Sequence, residues 1–164
     1  MKSVILVRHG KASHDDTLFE DIKRPLTAEG RKRTKRIARY LADKNIGIEK
    51  LITSPAARAF ETAKIFACEL GVDPGDFIVE DSVYEALPEN IQDVLFSLPD
   101  DVNRVMIVGH NPGMYLFANQ FLKPAIESLP TTGTIAIQFH TDEWFNTADC
   151  KTGVDFIVFP SMLK

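Results

Sequence analysis

The sequence Ser-Val-Ile-Leu-Val-Arg-His-Gly, at positions 3–10, joins a short apolar run to a polar turn. The run Ser3 to Val7 is rich in β-branched residues, which is typical of a strand buried on both faces of a parallel sheet. Ligands of open α/β sheets bind beyond the carboxyl ends of such strands. Arg8 supplies a planar fork of donors for phosphate or carboxylate, His9 a nucleophile or base near neutral pH, and Gly10 a sharp backbone turn. The alternative is an ordinary strand-end turn with a surface arginine.

The length of 164 residues and the composition, 45% hydrophobic and 26% charged, predict one domain that spans residues 1–164. The net charge of -4 gives no general reason to expect nucleic acid or a membrane surface as a partner. Two cysteines cannot form a disulfide framework and fit a reducing compartment. No apolar run approaches the roughly 20 residues that are needed to cross a bilayer. We therefore expect a cytoplasmic protein.

The charged residues are unevenly distributed along the chain. Residues 1–40 hold 11 Lys and Arg against 5 Asp and Glu, a net charge of +6, whereas the remainder has a net charge of -10. This bias suggests a local positive region on an acidic protein. The alternative is a solvated helix face without a partner.

Strand and helix patterns alternate through most of the chain. We predict strands at 3–7, 50–53, 77–80, 105–108, 134–139 and 155–159. We predict a loop at 11–24 and helices at 28–44 with Thr27 as the cap, 54–70 with Ser54 as the cap and Pro55 at the first position, 88–98, and 113–122. This alternation predicts an α/β fold with a largely parallel sheet, in which the last two strands pair antiparallel at an edge.

Three of the predicted strands end in polar turns. Arg8 and His9 follow the first strand, Ser54 follows the second, and His110 follows the fourth, while Arg58 lies in the first turn of a helix. Because the carboxyl ends of parallel strands meet at one edge of a sheet, neighbouring strands would bring two His and two Arg into one cleft. The start of the helix adds free N–H groups. Such a cluster predicts an anion site suited to a phosphoryl group.

Other chemistries fit these residues less well. A zinc site usually needs a third ligand, and two arginines would repel a dication. The sequence contains neither a Gly-x-Ser-x-Gly elbow nor a Gly-rich Walker loop. Covalent catalysis through histidine remains, with the cations holding the transferring oxygens and lowering the pKa of His9 so that it stays neutral. We therefore expect neither a metal nor a cofactor.

Four motifs occur in order: Arg8-His9-Gly10, Arg24-Pro25-Leu26-Thr27-x-x-Gly30, Ser54-Pro55-x-x-Arg58-x-x-x-Thr62, and Val108-Gly109-His110-Asn111-Pro112. Together they resemble the histidine phosphatase superfamily, and their combination in a short chain looks like the SixA-type phosphohistidine phosphatases. The resemblance covers nearly the whole chain. It implies a three-layer α/β/α fold of the phosphoglycerate mutase-like kind.

The resemblance also implies roles for individual side chains. His9 would be the nucleophile that becomes phosphohistidine, and Arg8, Arg58 and His110 would bind the phosphoryl oxygens. Arg24 would approach the same pocket from its loop, with a surface salt bridge as the alternative. The rim would include Asn111 and Thr132.

The proton donor for the leaving group is not evident. Larger members of the family place a carboxylate in a long insertion, for which this chain has no room. Glu85, just before the helix predicted at 88–98, matches the usual region best, and Asp21 is its rival; each could instead be a solvated surface carboxylate. A phosphohistidine leaves through an imidazole nitrogen that solvent can protonate, whereas an alkyl phosphate normally needs a general acid.

We therefore expect a phosphatase that acts through a covalent phosphohistidine and removes phosphate from phosphohistidine on a protein. A cleft without a large lid is open, and this suits a phosphorylated side chain better than an enclosed metabolite. One alternative is a broad-specificity or small-metabolite phosphomonoesterase of the same superfamily, with a small phosphate ester as substrate. Another alternative is a non-catalytic phosphate-binding module. The presence of both histidines, His9 and His110, and of both arginines, Arg8 and Arg58, argues against it.

Overall fold

The structure, a computed structural model, describes residues 1–14 and 19–163 and shows a six-stranded sheet flanked by helices. The strands are β1 (Lys2–Arg8), β2 (Lys50–Thr53), β3 (Phe77–Val79), β4 (Arg104–Gly109), β5 (Thr134–Phe139) and β6 (Thr152–Val158). The α-helices are α1 (Ala28–Asp43), α2 (Ala57–Leu70), α3 (Pro88–Phe96) and α4 (Gly113–Ala118). Short 3-10 turns occupy Asp21–Lys23, Pro74–Asp76, Asp81–Val83, Trp144–Asn146 and Pro160–Met162.

The strands lie in the order β3-β2-β4-β1-β5-β6. The first four strands of the chain are parallel, while β5 and β6 pair antiparallel at one edge. The predicted α/β fold with its antiparallel edge is therefore confirmed. Strand β1 lies between β4 and β5, and its residues Val4 to Val7 are completely buried, which explains its uninterrupted apolar sequence.

Two apolar cores cover the two faces of the sheet. Ile5 and Val7 of β1 face a core formed with α1 and α2, whereas Val4 and Leu6 face a core formed with α3 and α4. Alternate residues of a strand point to opposite faces, so that one strand contributes to both cores. This arrangement is the predicted three-layer α/β/α architecture.

Helix α1 has the cap and the buried face that its sequence predicts. The Thr27 hydroxyl accepts a hydrogen bond from Gly30 N at 2.9 Å, which satisfies one of the free donors of the first turn. Its buried residues are Gly30, Thr34, Ile37, Ala38 and Leu41. Thr27 N also donates to Lys11 O at 2.9 Å, so that the helix start is tied to the chain that leaves β1.

The predicted start of helix α2 is wrong. Ser54 N donates to Val108 O at 3.1 Å and thereby continues the pairing of β2 with β4, which holds Ser54 outside the helix. The Ser54 hydroxyl accepts from Ala56 N at 3.2 Å, and Ala56 occupies the N-cap position instead. The predicted end is right, since Gly71 closes the helix in a left-handed conformation at φ 68°.

Other boundaries also differ from the sequence prediction, most of them by one or two residues and two of them by three or four. Helix α4 ends at Ala118 rather than at 122, because the Asn119 side chain exchanges two hydrogen bonds with the backbone of Ile126 and draws the chain away. Strand β6 begins at Thr152 rather than at 155, since an exposed edge strand tolerates polar residues in its first half. In the predicted loop 11–24, residues 21–23 form a 3-10 turn, and residues 15–18 lie outside the described part of the chain.

No helix within residues 1–14 and 19–163 combines the length and the apolar character needed to cross a membrane.

We predict that Gly30→Ala destabilises the protein by about 1–3 kcal/mol, the usual range for overpacking. A Cβ at this position would come within 2.2 Å of Lys11 O, a backbone atom that cannot move aside without shifting the turn after His9. Gly47→Ala is the matched control, because a Cβ there meets nothing within 4 Å. Urea unfolding measures both variants, and equal stability of the two would contradict the packing argument.

Candidate active site

Adjacent strands bring the predicted turns together at the carboxyl edge of the sheet. Arg8 lies opposite Gly109 in the β1–β4 register, and His9 N donates to Gly109 O at 3.0 Å. His9 and His110 therefore leave neighbouring strands at the same level. Their ring centroids are 5.1 Å apart, with the rings tilted by 53°.

The His9 ring is oriented by its own turn. Its Nδ1 lies 2.7 Å from Gly10 O, and because a carbonyl only accepts, Nδ1 carries the proton. The lone pair of the neutral ring is then on Nε2. Gly10 N donates to the Thr62 hydroxyl at 2.9 Å, and that hydroxyl donates to Arg58 O at 2.7 Å, so that helix α2 fixes the turn.

Both histidines of the cluster are neutral near pH 7. Burial is the largest cause that lowers the pKa of His9, to about 3, and the charges of Arg58 and Arg8 lower it further. Burial likewise lowers the pKa of His110 to about 4, with Arg58 as the next cause. Desolvation, which the prediction from the neighbouring arginines did not include, is therefore a larger cause of the low pKa of His9 than either arginine.

The two arginines of the cluster lie close enough for the charge of one to affect the other. Part of each guanidinium has no hydrogen-bond partner among the described residues. The pKa of Arg8 is lowered by burial and by the charge of Arg58. Arg8 Nη1 donates to Leu129 O at 3.0 Å, whereas Arg8 Nε and Arg58 Nε are buried and have no hydrogen-bond partner among the described residues. An oxyanion between the two groups would satisfy these donors.

Asp21 connects the loop after His9 to the same cluster. Its Oδ2 accepts from the Tyr84 hydroxyl at 2.7 Å and from Arg58 Nη2 at 3.2 Å, and its backbone oxygen accepts from Arg58 Nη1 at 2.7 Å. Its Oδ1 accepts from Arg24 Nη2 at 2.9 Å. The hydrogen bond from Tyr84, followed by those from the arginines, holds the pKa of Asp21 at about 2.

Arg24 reaches the cluster through Asp21. Its Nη1 donates to Ser13 O at 2.8 Å, its Nε and Nη2 are engaged by Asp21, and its charge lowers the pKa of His110. The surface salt bridge considered in the sequence analysis therefore exists, and it lies beside the cluster. Arg24 and Arg58 both pair with the Asp21 carboxylate, whereas Arg8 forms no ion pair with a described residue.

The remaining predicted residues line the cleft or support it. Glu85 is exposed and borders a cleft of about 290 Å³ together with Asp21, Arg58 and His110. Asn111 Nδ2 donates to Leu129 O at 2.8 Å and to Ser128 Oγ at 2.9 Å, so that its buried Oδ1 is the atom left without a partner among the described residues.

Thr132 lies beneath the turn that follows β1. Thr132 N donates to Arg8 O at 3.0 Å and to His9 O at 3.1 Å, and its hydroxyl lies 3.1 Å from that of Thr34. Its φ of 58° places it in the left-handed region. These contacts of Thr132 hold in place the backbone of Arg8 and His9, which carries the cluster.

Sequence reasoning did not assign site roles to several residues that contact the cluster. Tyr84 donates to Asp21 and packs edge-on against His110 at 5.5 Å. The Ser54 hydroxyl lies 2.8 Å from His110 Nε2. Ser54 and Thr62 belong to a quoted motif and could have been found there, whereas Tyr84 carries no signal beyond its place next to Glu85.

The arrangement is suited to a tetrahedral oxyanion. It combines a neutral imidazole whose Nε2 lone pair is free, unpaired guanidinium donors and a second neutral imidazole. Among residues 1–14 and 19–163, no group of three or more His, Cys, Asp or Glu side chains is placed to hold a metal ion.

The chain is similar to known proteins in sequence and in fold. The model of the histidine phosphatase superfamily (branch 1) matches residues 4–90, slightly more than half of the chain. A protein of Picosynechococcus sp., itself uncharacterized, is 31% identical, with 82% of this chain and 88% of that protein covered.

Two solved structures share the fold. One is a proposed phosphohistidine phosphatase SixA from Agrobacterium tumefaciens, with a TM-score of 0.82, 23% identity and coverage of 97% of this chain and 98% of that chain. The other is the protein histidine phosphatase SixA complexed with tungstate, with a TM-score of 0.83, 21% identity and coverage of 99% of each chain. At these identities the likeness establishes the fold.

We predict that acid destabilises the protein through the buried histidines. Their folded pKa values lie below the unfolded value of about 6.5, so the unfolded chain takes up protons first as the pH falls. The associated stability is complete above pH 6.5 and decreases toward pH 4. At pH 5 each histidine removes about 2 kcal/mol from the free energy of unfolding relative to pH 8.

Urea unfolding at pH 8, 6 and 5 measures this dependence. His110→Asn should show roughly half of the wild-type decrease, since one of the two buried groups is gone. The exposed His140→Asn is the control and should retain the full decrease. A wild-type stability that is flat from pH 8 to pH 5 would show that the two histidines are not buried in their neutral form.

Proposed function

We propose that this chain, which belongs to the histidine phosphatase superfamily, removes the phosphoryl group from phosphohistidine on a protein through a phosphorylated His9. The family places the chain among the phosphatase hydrolases. The observation that carries the proposal is the pair of His9 and His110, both neutral and 5.1 Å apart, beside the unpaired donors of Arg8 and Arg58.

His9 is the nucleophile. Because Nδ1–H donates to Gly10 O, the lone pair on Nε2 is the one available to attack phosphorus. The new bond joins Nε2 to phosphorus, and the bond from phosphorus to the substrate nitrogen breaks. Its electron pair leaves with the substrate imidazole, which holds a proton taken from solvent.

The cations hold the transferring oxygens. Arg8 and Arg58 supply Nε donors that have no partner among the described residues, and an anion beside His110 raises the pKa of that ring, which can then donate a hydrogen bond to a phosphoryl oxygen and keep its proton. Asn111 acts by positioning, since its amide and Arg8 share Leu129 O as acceptor.

Water completes the cycle. Its oxygen bonds to phosphorus, one of its protons passes to solvent, and the bond from phosphorus to His9 Nε2 breaks. Orthophosphate leaves and the neutral imidazole is restored. Atoms and charges balance without a co-reactant other than water.

The environment of Asp21 opposes the role of general acid that its sequence position suggests. A carboxyl with a pKa of about 2, engaged by two arginines and Tyr84, carries no proton to give near pH 7. Its negative charge instead attracts the protonated ring of a phosphohistidine substrate, which is cationic until the bond from phosphorus to nitrogen breaks. Glu85, exposed at the same cleft, remains the candidate donor for alkyl phosphates.

The location and the domain organisation are also proposals. Cys68 and Cys150 are both free thiols, in keeping with a reducing, cytoplasmic compartment. The two cores share one sheet, which supports a single domain over residues 1–164.

Trapping the covalent intermediate tests the nucleophile. A peptide with one ³²P-phosphohistidine should leave acid-labile, alkali-stable label on the wild-type protein. His9→Ala should take up no label and lose at least about 10³-fold in kcat/KM. The exposed His140→Ala is the control and should label normally. Labelling of His9→Ala would assign the nucleophile elsewhere, and binding of phosphate without turnover would favour the non-catalytic module.

Substrate comparison separates the phosphohistidine enzyme from a phosphomonoesterase. We expect the kcat/KM for the phosphohistidine peptide to exceed that for glycerol phosphate and sugar phosphates by about 10²-fold or more, the range of one missing general-acid contribution. Equal or better turnover of the alkyl phosphates would establish the phosphomonoesterase instead.

Asp21→Asn tests the proposed counter-charge. Loss of the negative charge should lower kcat/KM for the phosphohistidine peptide relative to glycerol phosphate by about tenfold, since only the phosphohistidine brings a protonated, cationic ring to the site. Asp93→Asn, an exposed carboxylate on α3, is the control and should leave the ratio unchanged. An equal loss with both substrates would show that Asp21 only supports the arginines.

A further inference from the structure

Helix α1 carries an exposed row of cations that the proposed catalytic cycle does not use. Lys32, Lys35 and Arg36 are exposed and form no ion pair with any described residue. Arg39 continues the row and has a long contact of 3.6 Å with Glu69. These residues account for much of the positive bias found in positions 1–40.

The row borders a groove rather than a convex surface. A cavity of about 570 Å³ lies between α1 and the C-terminal turn Pro160–Met162, and among the described residues that line it the four cations are joined by one acidic residue, Asp43. Met162, which is 56% exposed, contributes an apolar wall. A groove with cations on one side and apolar atoms on the other suits an acidic protein segment, because Lys and Arg can pair with carboxylates while apolar side chains pack.

The groove begins close to the catalytic turn. Thr27 N donates to Lys11 O at 2.9 Å, which ties the start of α1 to the turn after His9. Lys32, the first cation of the row, lies five residues further along the helix, a rise of about 7.5 Å. A partner that buries about 800 Å² covers a disc about 16 Å in radius, so that a protein seated on His9 can reach the Lys32 end of the groove.

A segment that borders the catalytic cleft has the opposite charge. The segment 80–89 contains Glu80, Asp81, Glu85 and Glu89 and no Lys or Arg. A partner with acidic residues on one side of its phosphohistidine is therefore attracted by α1 and repelled by this segment. The groove and this segment together favour one docking orientation.

We infer that the α1 groove docks an acidic segment of the phosphorylated protein, lying about 10–16 Å from its phosphohistidine. This inference rests on the proposed function, since it identifies the partner of the same site. An extended chain advances about 3.3 Å per residue, so that the acidic residues would lie three to five positions from the phosphohistidine in a linear substrate.

Two synthetic peptides test the inference. Each has one phosphohistidine, and four residues away one peptide has a run of glutamates where the other has glutamines. We expect wild-type kcat/KM to favour the acidic peptide by about tenfold at low salt, at the lower end of electrostatic steering. The preference should shrink as the ionic strength rises, because screening shortens the reach of exposed charges.

The variant Lys32→Glu/Arg36→Glu should abolish or reverse this preference. Lys64→Glu/Lys151→Glu is the matched control, since it changes the charge equally at two exposed residues away from the groove. Both variants should hydrolyse phosphoramidate, which is too small to reach the groove, at the wild-type rate. Retained phosphoramidate turnover also shows that the variants are folded.

The outcomes separate the docking surface from the catalytic proposal. Failure of the wild type to hydrolyse either peptide counts against the proposed function. Equal turnover of the two peptides, or a preference that Lys32→Glu/Arg36→Glu leaves intact, overturns the docking inference alone. Sedimentation that shows a wild-type dimer dissociated by this variant also overturns it, since a second copy would then occupy the groove.

Discussion

The parallel pairing of β1 with β4 is the constraint on which the rest of the site depends. The bond from His9 N to Gly109 O extends this pairing by one residue beyond the apolar part of β1. Because of this register, His9 and His110 leave the sheet side by side. A shift of one residue would turn the side chains of β1 toward the opposite face and separate the two rings. The pairing itself is held by the apolar residues of β1, which are buried on both faces.

The electrostatics of the cluster follow from what is buried and what is paired. Burial keeps both imidazoles neutral, and the guanidinium groups of Arg8 and Arg58 supply the positive charge beside them. The negative charge of Asp21 neutralises part of this positive charge. The hydrogen bonds from Tyr84 and the arginines lower the pKa of the Asp21 carboxyl and so keep it ionised. The surplus of positive charge, together with two guanidinium nitrogens that have no partner among the described residues, supports the proposal that a phosphoryl group binds at the cluster. Through this excess of positive charge, the fold accounts for the phosphatase family to which the chain belongs.

Local sequence patterns predicted which helices and strands exist more accurately than the residues at which they begin and end. The buried face of α1 and the bounds of β2 and β5 follow from periodicity and turn residues, which act over a few positions. The start of α2 was wrong because Ser54 is held by Val108 of another strand, and the end of α4 was wrong because Asn119 bonds to Ile126. Each failure arises from a hydrogen bond that competes with the helix.

The sequence by itself determined which side chains stand at strand ends, because an apolar strand and the polar residue that follows it are neighbours in the chain. It therefore placed Arg8, His9, Arg58 and His110 at one edge of a parallel sheet. Only the tertiary structure decided how Asp21 is used, since Tyr84 and Arg58 are 63 and 37 positions away from it. The same holds for the shared acceptor Leu129 O and for the groove between α1 and the C-terminal turn. Such contacts depend on the packing of whole elements, which leaves no local pattern in the sequence.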